Sequence, residues 1–448
     1  MEKSIQDWLS RYANIQALRL AAVDLNGQAR GKRLPRRFAD KTFDGGTRLP
    51  FSTLNLDLLG QDIHDSPLVF DSGDADGLLT PTERGFVPMP WLDTPTALLP
   101  MWMFHPDHTA FDGDPRHALR QVLERYTHHH LTPVTAIEME FYLIDTSGPA
   151  PQIPRAPGTH HRHAVADTLS ISALDDFDEF LTDLYQACDA MDIPADAAIS
   201  ESGIGQFEIN LLHCDDALRT ADNAWLFKMA AKGVARKHGF TASFMAKPYP
   251  DSAGSGMHSH FSVLDADGNN IFDDGGAAGT AALRHAVSGC LAAMADSSLI
   301  FAPFDNSFER LVPGAHAPTS LCWGYDNRTT ALRVPQSPPK ARRIEHRVAG
   351  GDANPYLMLA AILGAALNGI EGKTPPPPPT AGNAYASSGP QIAQTLDRAI
   401  TNFEHSHQIK RLFTPLICDN FTRTKRQERR IMADLDAQTR IAIYLKTL

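Results

Sequence analysis

The sequence predicts an α+β protein in which several strands turn charged faces toward one shared cavity, with helices packed around them. Three observations carry this. Four short segments place acidic, imidazole or guanidinium side chains at alternate positions: residues 135–141 (TAIEMEF), 205–211 (GQFEINL), 256–261 (GMHSHF) and 343–348 (RIEHRV). Between them run stretches with apolar residues at helical spacing, such as Leu119, Val122 and Leu123. The chain has 448 residues, 43% hydrophobic and 21% charged, which allows two or three domains with ample core.

Successive side chains of a strand point to opposite faces. Glu138 and Glu140 therefore look one way, and Ile137, Met139 and Phe141 the other. His258 and His260 pair likewise opposite Met257 and Phe261, and Arg343, Glu345 and Arg347 pair opposite Ile344 and Val348. The polar faces carry too much charge for an ordinary core, so a cation or phosphate site is expected there.

Along the chain, residues 1–107 form a first unit. An amphipathic helix over 5–12 leads to a strand over 17–24, an Asn26-Gly27 turn and a second strand over 30–34, which is a hairpin signal. Pro-rich punctuation around 88–100 ends the unit ahead of a strand over 96–103. The second unit, 108–448, opens with a helix at Asp114-Pro115-Arg116, where Pro suits an early helical position. A loop rich in Pro, Gly and His (147–163) follows the first carboxylate strand. Helices over 174–191 and 221–238, a strand over 241–246, a buried helix over 357–367, a polyproline connector at 375–379 and a polar helical tail from Gln391 complete the reading.

Bulk properties exclude several classes. Net charge is −11, so nucleic-acid binding has no electrostatic footprint. Five scattered cysteines without a CxxC predict neither a disulfide framework nor a zinc-thiolate site. The N-terminal segment MEKSIQDWLSRY has no apolar signal region, and the apolar run 357–367 is too short to span a bilayer. A cytoplasmic protein with no membrane partner is expected. Gly372-Lys373-Thr374 mimics the end of a P-loop, but Leu367 stands where its first Gly belongs. The histidines at 128–130 and at 160, 161 and 163 read as solvated, and no GxSxG is present.

The acidic and imidazole set Glu138, Glu140, Glu201, Glu208, His258 and Glu345 suits Mg²⁺ or Mn²⁺ better than zinc or copper. Six protein ligands exceed what one Mg²⁺ takes, so two or more ions are implied. Seven cations, Arg310, Arg328, Arg333, Lys340, Arg342, Arg343 and Arg347, follow within a short stretch. Beside a metal, such a cluster suits a triphosphate and a carboxylate substrate.

These residues sit in motifs that resemble the glutamine synthetase superfamily, type I branch, along nearly the whole chain. The motifs are, in order, VDLNGQARGKRLP (23–35), DPR (114–116), EMEFYL (138–143), ESGIGQFEINL (201–211), KPYPDSAGSGMHSHFS (247–262), RLVPG (310–314), DNRTTALRVP (326–335) and KARRIEHRVAGGDANPYL (340–357). FMAKPYP (244–250) and CWGYDNRT (322–329) are worded as in the γ-glutamylputrescine and γ-glutamylpolyamine synthetases.

The resemblance implies a β-grasp N-terminal domain, a catalytic domain on a curved antiparallel sheet (a half-barrel), and a dodecamer of two stacked hexameric rings. It implies Glu140, Glu201 and Glu208 on one metal and Glu138, His258 and Glu345 on another. His260, Ser262, Arg328, Arg333, Lys340 and Arg343 match nucleotide- and phosphate-contacting positions, and Gly254, Arg310 and Arg347 match glutamate-contacting ones. The implied reaction makes γ-glutamyl phosphate from glutamate and ATP, then transfers the acyl group to an amine. Arg310 and Arg328 are expected to act on the reacting groups, with ATP as co-substrate.

Departures bear on the amine. Where glutamine synthetases carry a glutamate in a PGxEAP loop, this chain reads PGAHAP, with His316 at that place. The stretch 50–54 (PFSTL) lacks the acid of the Asp-Gly-Ser segment that a neighbouring subunit contributes, and Ala253 replaces a usual Asn. An ammonium site needs fixed negative charge, so these losses disfavour ammonia, while an imidazole can take a proton near neutral pH. A putrescine or polyamine ligase is expected. The alternatives are a true glutamine synthetase, a monoamine or ethanolamine γ-glutamyl ligase, and a catalytically silent paralogue serving as sensor or scaffold.

Overall fold

The computed structural model describes residues 2–42, 46–148, 150–159, 162–386 and 389–448; His160 and His161 lie outside the described residues. Strands β1 (Ala17–Val23), β2 (Ala29–Pro35), β3 (Arg48–Pro50), β4 (Asp76–Pro81), β5 (Val87–Pro88) and β6 (Thr96–Phe104) make a first sheet. Its order is β2-β1-β6-β4-β3, with β5 also on β6. β1 runs antiparallel to β2 and parallel to β6, the mixed arrangement expected of a β-grasp sheet. The Asn-Gly turn forms as read: Gly27 has φ +76, and the Asp24 carboxylate accepts the Gln28 N–H at 2.8 Å and Arg30 Nε at 2.7 Å.

The expectation that this unit ends ahead of residue 96 is corrected: β6 is the middle strand of the sheet. Its sequence TALLPMWMF is apolar on both faces, and only an interior strand can bury both. Leu98 joins the large core, while Ala97, Leu99, Met101 and Met103 join the smaller one.

The second sheet contains β7 (Thr132–Ile144), β8 (Ala195–Ser200), β9 (Gln206–Cys214), β10 (Thr241–Ser243), β11 (Met257–Leu264), β12 (Trp323–Tyr325), β13 (Leu332–Val334) and β14 (Ile344–His346). It is a curved sheet of order β12-β13-β14-β11-β7-β9-β8, with β10 on the end of β7. All pairings are antiparallel except β12 with β13. Each of the four alternating segments contributes a strand, although the fourth is strand only over Ile344–His346, with Arg343 and Arg347 just outside it.

Helices cover the apolar side. Pro115–His128 starts where Asp114 caps the Arg116 N–H, and Ala217–Lys237 starts at the Asp216 cap, earlier than the apolar spacing indicated. The helix read over 174–191 is broken into Ile171–Asp175 and Asp178–Ala190. Phe177 leaves helical geometry (φ −120, ψ 22) and sets its ring 5.4 Å from Phe207 and 5.8 Å from Phe240, so packing overrides helical continuity. The strand read over 241–246 pairs only through Ser243.

Pro355–Gly372 is long and apolar enough to cross a membrane, yet 78% of it is buried inside the protein as the central core helix. Lys373 (φ +50) closes it, so the Gly-Lys-Thr stretch is a helix end. It crosses helix Ala281–Met294 where a Cβ on Gly289 would stand 2.1 Å from the Ala365 carbonyl oxygen. All five cysteines are free.

Candidate active site

Strand register assembles the site from distant parts of the chain. On β7, Glu138 lies opposite His258 of β11 and Asn210 of β9, while Glu140 lies opposite Glu208. One row over, His260 of β11 meets Glu345 of β14, which meets Arg333 of β13. Opposed residues of an antiparallel pair hold their Cβ atoms about 5 Å apart. The charged faces of four strands therefore fuse into one cluster, while Ile137, Met139, Phe141, Met257 and Ile344 fill the core behind.

Glu138 sits at the centre. Its Oε1 is 2.7 Å from His260 Nε2 and its Oε2 is 3.0 Å from His258 Nδ1. Burial would raise this carboxyl, but the two imidazoles hold it well below the usual carboxylate range. Glu140 accepts the Gly256 N–H at 2.7 Å. Glu345, 1% exposed, is bonded by Arg333 at 2.8 Å and by Arg347; burial opposes its charge, and Arg347 with the histidines lowers its pKa. Arg343 Nε reaches His260 Nδ1 at 3.2 Å.

The other two acids lack such partners. Burial pushes Glu201 up to about 7, with Glu140 adding repulsion. Burial pushes Glu208 up to about 9, with Glu138, Glu140 and Glu201 adding repulsion. Acids that crowd together this way call for a cation, and carboxylates with imidazole are the donors a hard or borderline divalent ion takes. Among the described residues, one donor atom each from Glu138, His260 and Glu345 lie within 4.8 Å of one another. This draws His260 into the cluster that sequence reasoning gave to His258, which also touches Glu138. The donor set fits a divalent ion.

Around the cluster, Arg310 (3% exposed) donates to the Val348 carbonyl at 2.8 Å and approaches His258 Nε2 at 3.4 Å. Gly254 packs on it: a Cβ there would meet Arg310 Cγ at 2.6 Å. Arg347 joins Glu345 to the His316 carbonyl, at 3.4 Å from the latter. The His316 side chain is exposed, on backbone at φ +55. His260, Ser262, Lys340 and Arg343 line a cleft of about 900 Å³ together with Glu138. Arg333 is turned to Asp326 and Glu345, and Arg328 is exposed within electrostatic reach of Glu201.

Residues 112–443 match the family model described as the glutamine synthetase catalytic domain. The chain belongs to the glutamine synthetase family. It is 34% identical to the gamma-glutamylputrescine synthetase PuuA of Escherichia coli (strain K12), over 99% of this chain and 94% of that one. It is 31% identical to a glutamate–isopropylamine ligase of Pseudomonas sp, over 94% and 93%. A solved GmaS/ADP complex superposes with a TM-score of 0.82 at 28% identity, covering 97% of this chain and 98% of that one. Members of this family are ATP-dependent ligases that use divalent metals, and joining glutamate to an amine is the chemistry these relatives share.

One residue of this family site escaped the sequence reading. Asn210 lines the same cleft, opposite Glu138, and its side-chain oxygen is buried with no hydrogen-bond partner among the described residues. Its signal was present: it stands two residues after Glu208, hence on the same face. An amide draws less notice than an acid, but its oxygen is a buried, unpartnered acceptor on a residue that lines the site.

Proposed function

We propose that this protein is an ATP-dependent ligase joining the γ-carboxylate of glutamate to an amine other than ammonia, with putrescine or another polyamine as the favoured acceptor. The observation that carries the reading is the convergence of Glu138, Glu140, Glu201, Glu208 and Glu345 with two imidazoles beside Arg310, Arg343 and Arg347. Glu140, Glu201 and Glu208 would hold one Mg²⁺ or Mn²⁺, and Glu138, His258 and Glu345 another. Bound there, the ions would neutralise charge on the transferring phosphoryl group. His260, Ser262, Arg328, Arg333, Lys340 and Arg343 would hold the nucleotide, and Gly254, Arg310 and Arg347 the glutamate.

In this reading the glutamate γ-carboxylate oxygen attacks the terminal phosphorus of ATP and ADP leaves. The amine nitrogen then attacks the acyl carbon, phosphate leaves, and a proton is lost from nitrogen. Arginine guanidiniums pair with the carboxylate and phosphoryl oxygens bidentately, which positions them in line. His316, in the loop whose carbonyl Arg347 holds, would take the amine's proton. The similarity to a gamma-glutamylputrescine synthetase and the missing loop acid support a diamine over ammonium. A β-grasp domain over 1–107, a catalytic domain over 108–448 and a dodecamer of two hexameric rings belong to the same proposal.

The test is phosphate release from ATP with glutamate and Mg²⁺, run against ammonium, putrescine, spermidine, ethanolamine and isopropylamine. Putrescine or spermidine should give the highest kcat/KM. Best turnover with ammonium would overturn the amine assignment, and no release with any amine would overturn the ligase.

A further inference from the structure

A second cleft, of about 640 Å³, shares no lining residue with the first. It lies between the C-terminal helix Ala437–Thr447, β10 and the end of helix Ala217–Lys237. Among the described residues its lining holds three cations, Lys232, Arg236 and Lys446, and no carboxylate, in a chain whose net charge is −11. Lys232 is half-buried, and its ammonium donates to the Thr447 carbonyl at 2.9 Å. Burial lowers it to about 8, with Arg236 adding repulsion and no acid opposing either effect. Arg236 and Lys446 are exposed at the rim. Phe240, Ala242 and Leu445 supply an apolar wall, with the bonded hydroxyls of Thr146 and Thr241 alongside.

Gathering like charges in a partly buried cleft costs free energy unless a counter-charge enters. Three cations exceed what a monocarboxylate neutralises and match a phosphate monoester, which carries about −1.5 to −2 at neutral pH. Arginine offers the fork that takes phosphate oxygens two at a time, and lysines add point charges. The volume is that of a small-molecule site, and the apolar wall suits more than a bare ion.

We propose that this cleft binds a small organic phosphate, its phosphoryl group between Lys232, Arg236 and Lys446 and its apolar part against Phe240. The experiment is calorimetric titration of the full chain, saturated with ADP and Mg²⁺, using AMP, inorganic phosphate and adenosine as probes. AMP should bind more tightly than inorganic phosphate, and adenosine should give no heat. Arg236→Glu and Lys446→Glu each should weaken AMP by about tenfold or more. Both positions are exposed and lie outside the proposed ligase machinery, so folding and basal turnover should hold. AMP affinity unchanged in both variants, phosphate binding as tightly as AMP, or no AMP binding in the wild type overturns the proposal.

Discussion

Replacing Glu208 with glutamine tests whether the acid cluster is built around a cation. Glu208 is 7% exposed, and burial among like charges moves its carboxyl from 4.5 to about 9. The folded protein therefore keeps this proton to a higher pH than the unfolded chain does. Over that window folding takes up a proton, and stability falls as pH rises. Each pH unit costs about 1.4 kcal/mol, so the penalty at pH 8 has an upper bound of about 5 kcal/mol. Glutamine has no proton to hold and escapes the penalty. Urea unfolding in chelator, followed by tryptophan fluorescence, should find Glu208→Gln more stable than wild type. The gap should widen by about 2–3 kcal/mol between pH 6 and pH 8. Adding Mg²⁺ should raise the wild type more than the variant, because the ion supplies the missing counter-charge and the variant has lost a donor. A gap that stays constant with pH, or a variant that gains as much from Mg²⁺, refutes the reasoning.

Three further perturbations follow from close contacts. Gly254→Ala should displace Arg310, since its Cβ would stand 2.6 Å from Arg310 Cγ and 2.7 Å from the Ala246 carbonyl oxygen. Steady-state kinetics should show KM for glutamate raised about tenfold or more with the fold intact by circular dichroism, and an unchanged KM removes Gly254 from the glutamate site. Tyr356→Phe deletes the hydroxyl that donates to the buried Asp222 carboxylate at 2.6 Å, a group also held by Arg116. The unfolding free energy should fall by about 1–3 kcal/mol, and a neutral result would mean Arg116 alone satisfies Asp222. Gly289→Ala pushes a methyl into the Ala365 carbonyl at 2.1 Å where two core helices cross. Thermal unfolding should show a loss of about 1–3 kcal/mol or more, and wild-type stability would show that the helices separate freely.

The site was legible to different depths. Alternation made Glu138 and Glu140, His258 and His260, and Glu345 and Arg347 visible as shared faces, because a strand has only two sides. Glu201 lies in the turn between β8 and β9, one residue past Ser200, so alternation within 205–211 could not reach it. Asn210 needed the structure, since only there does its unpartnered oxygen appear. The break at Phe177 was invisible to periodicity, because the aromatic contacts that pull it from the helix come from β9 and Phe240.

Sequence alone determined the strands, their two faces, the donor chemistry and the altered loop at His316, all of them properties of local spacing and side-chain type. Which acid faces which base was decided only by tertiary structure. Register puts Glu138 against His258 and Asn210, and Glu140 against Glu208. That pairing is what divides the acids into Glu138 and Glu345, whose charge is held by imidazole and guanidinium, and Glu201 and Glu208, whose carboxyls are pushed up by burial and by neighbouring acids. The same folding placed Lys232, Arg236 and Lys446 on one cleft with no acid among its described lining residues. Some of these charges lie more than two hundred residues apart, and their interaction depends on distance and burial, which no local pattern encodes.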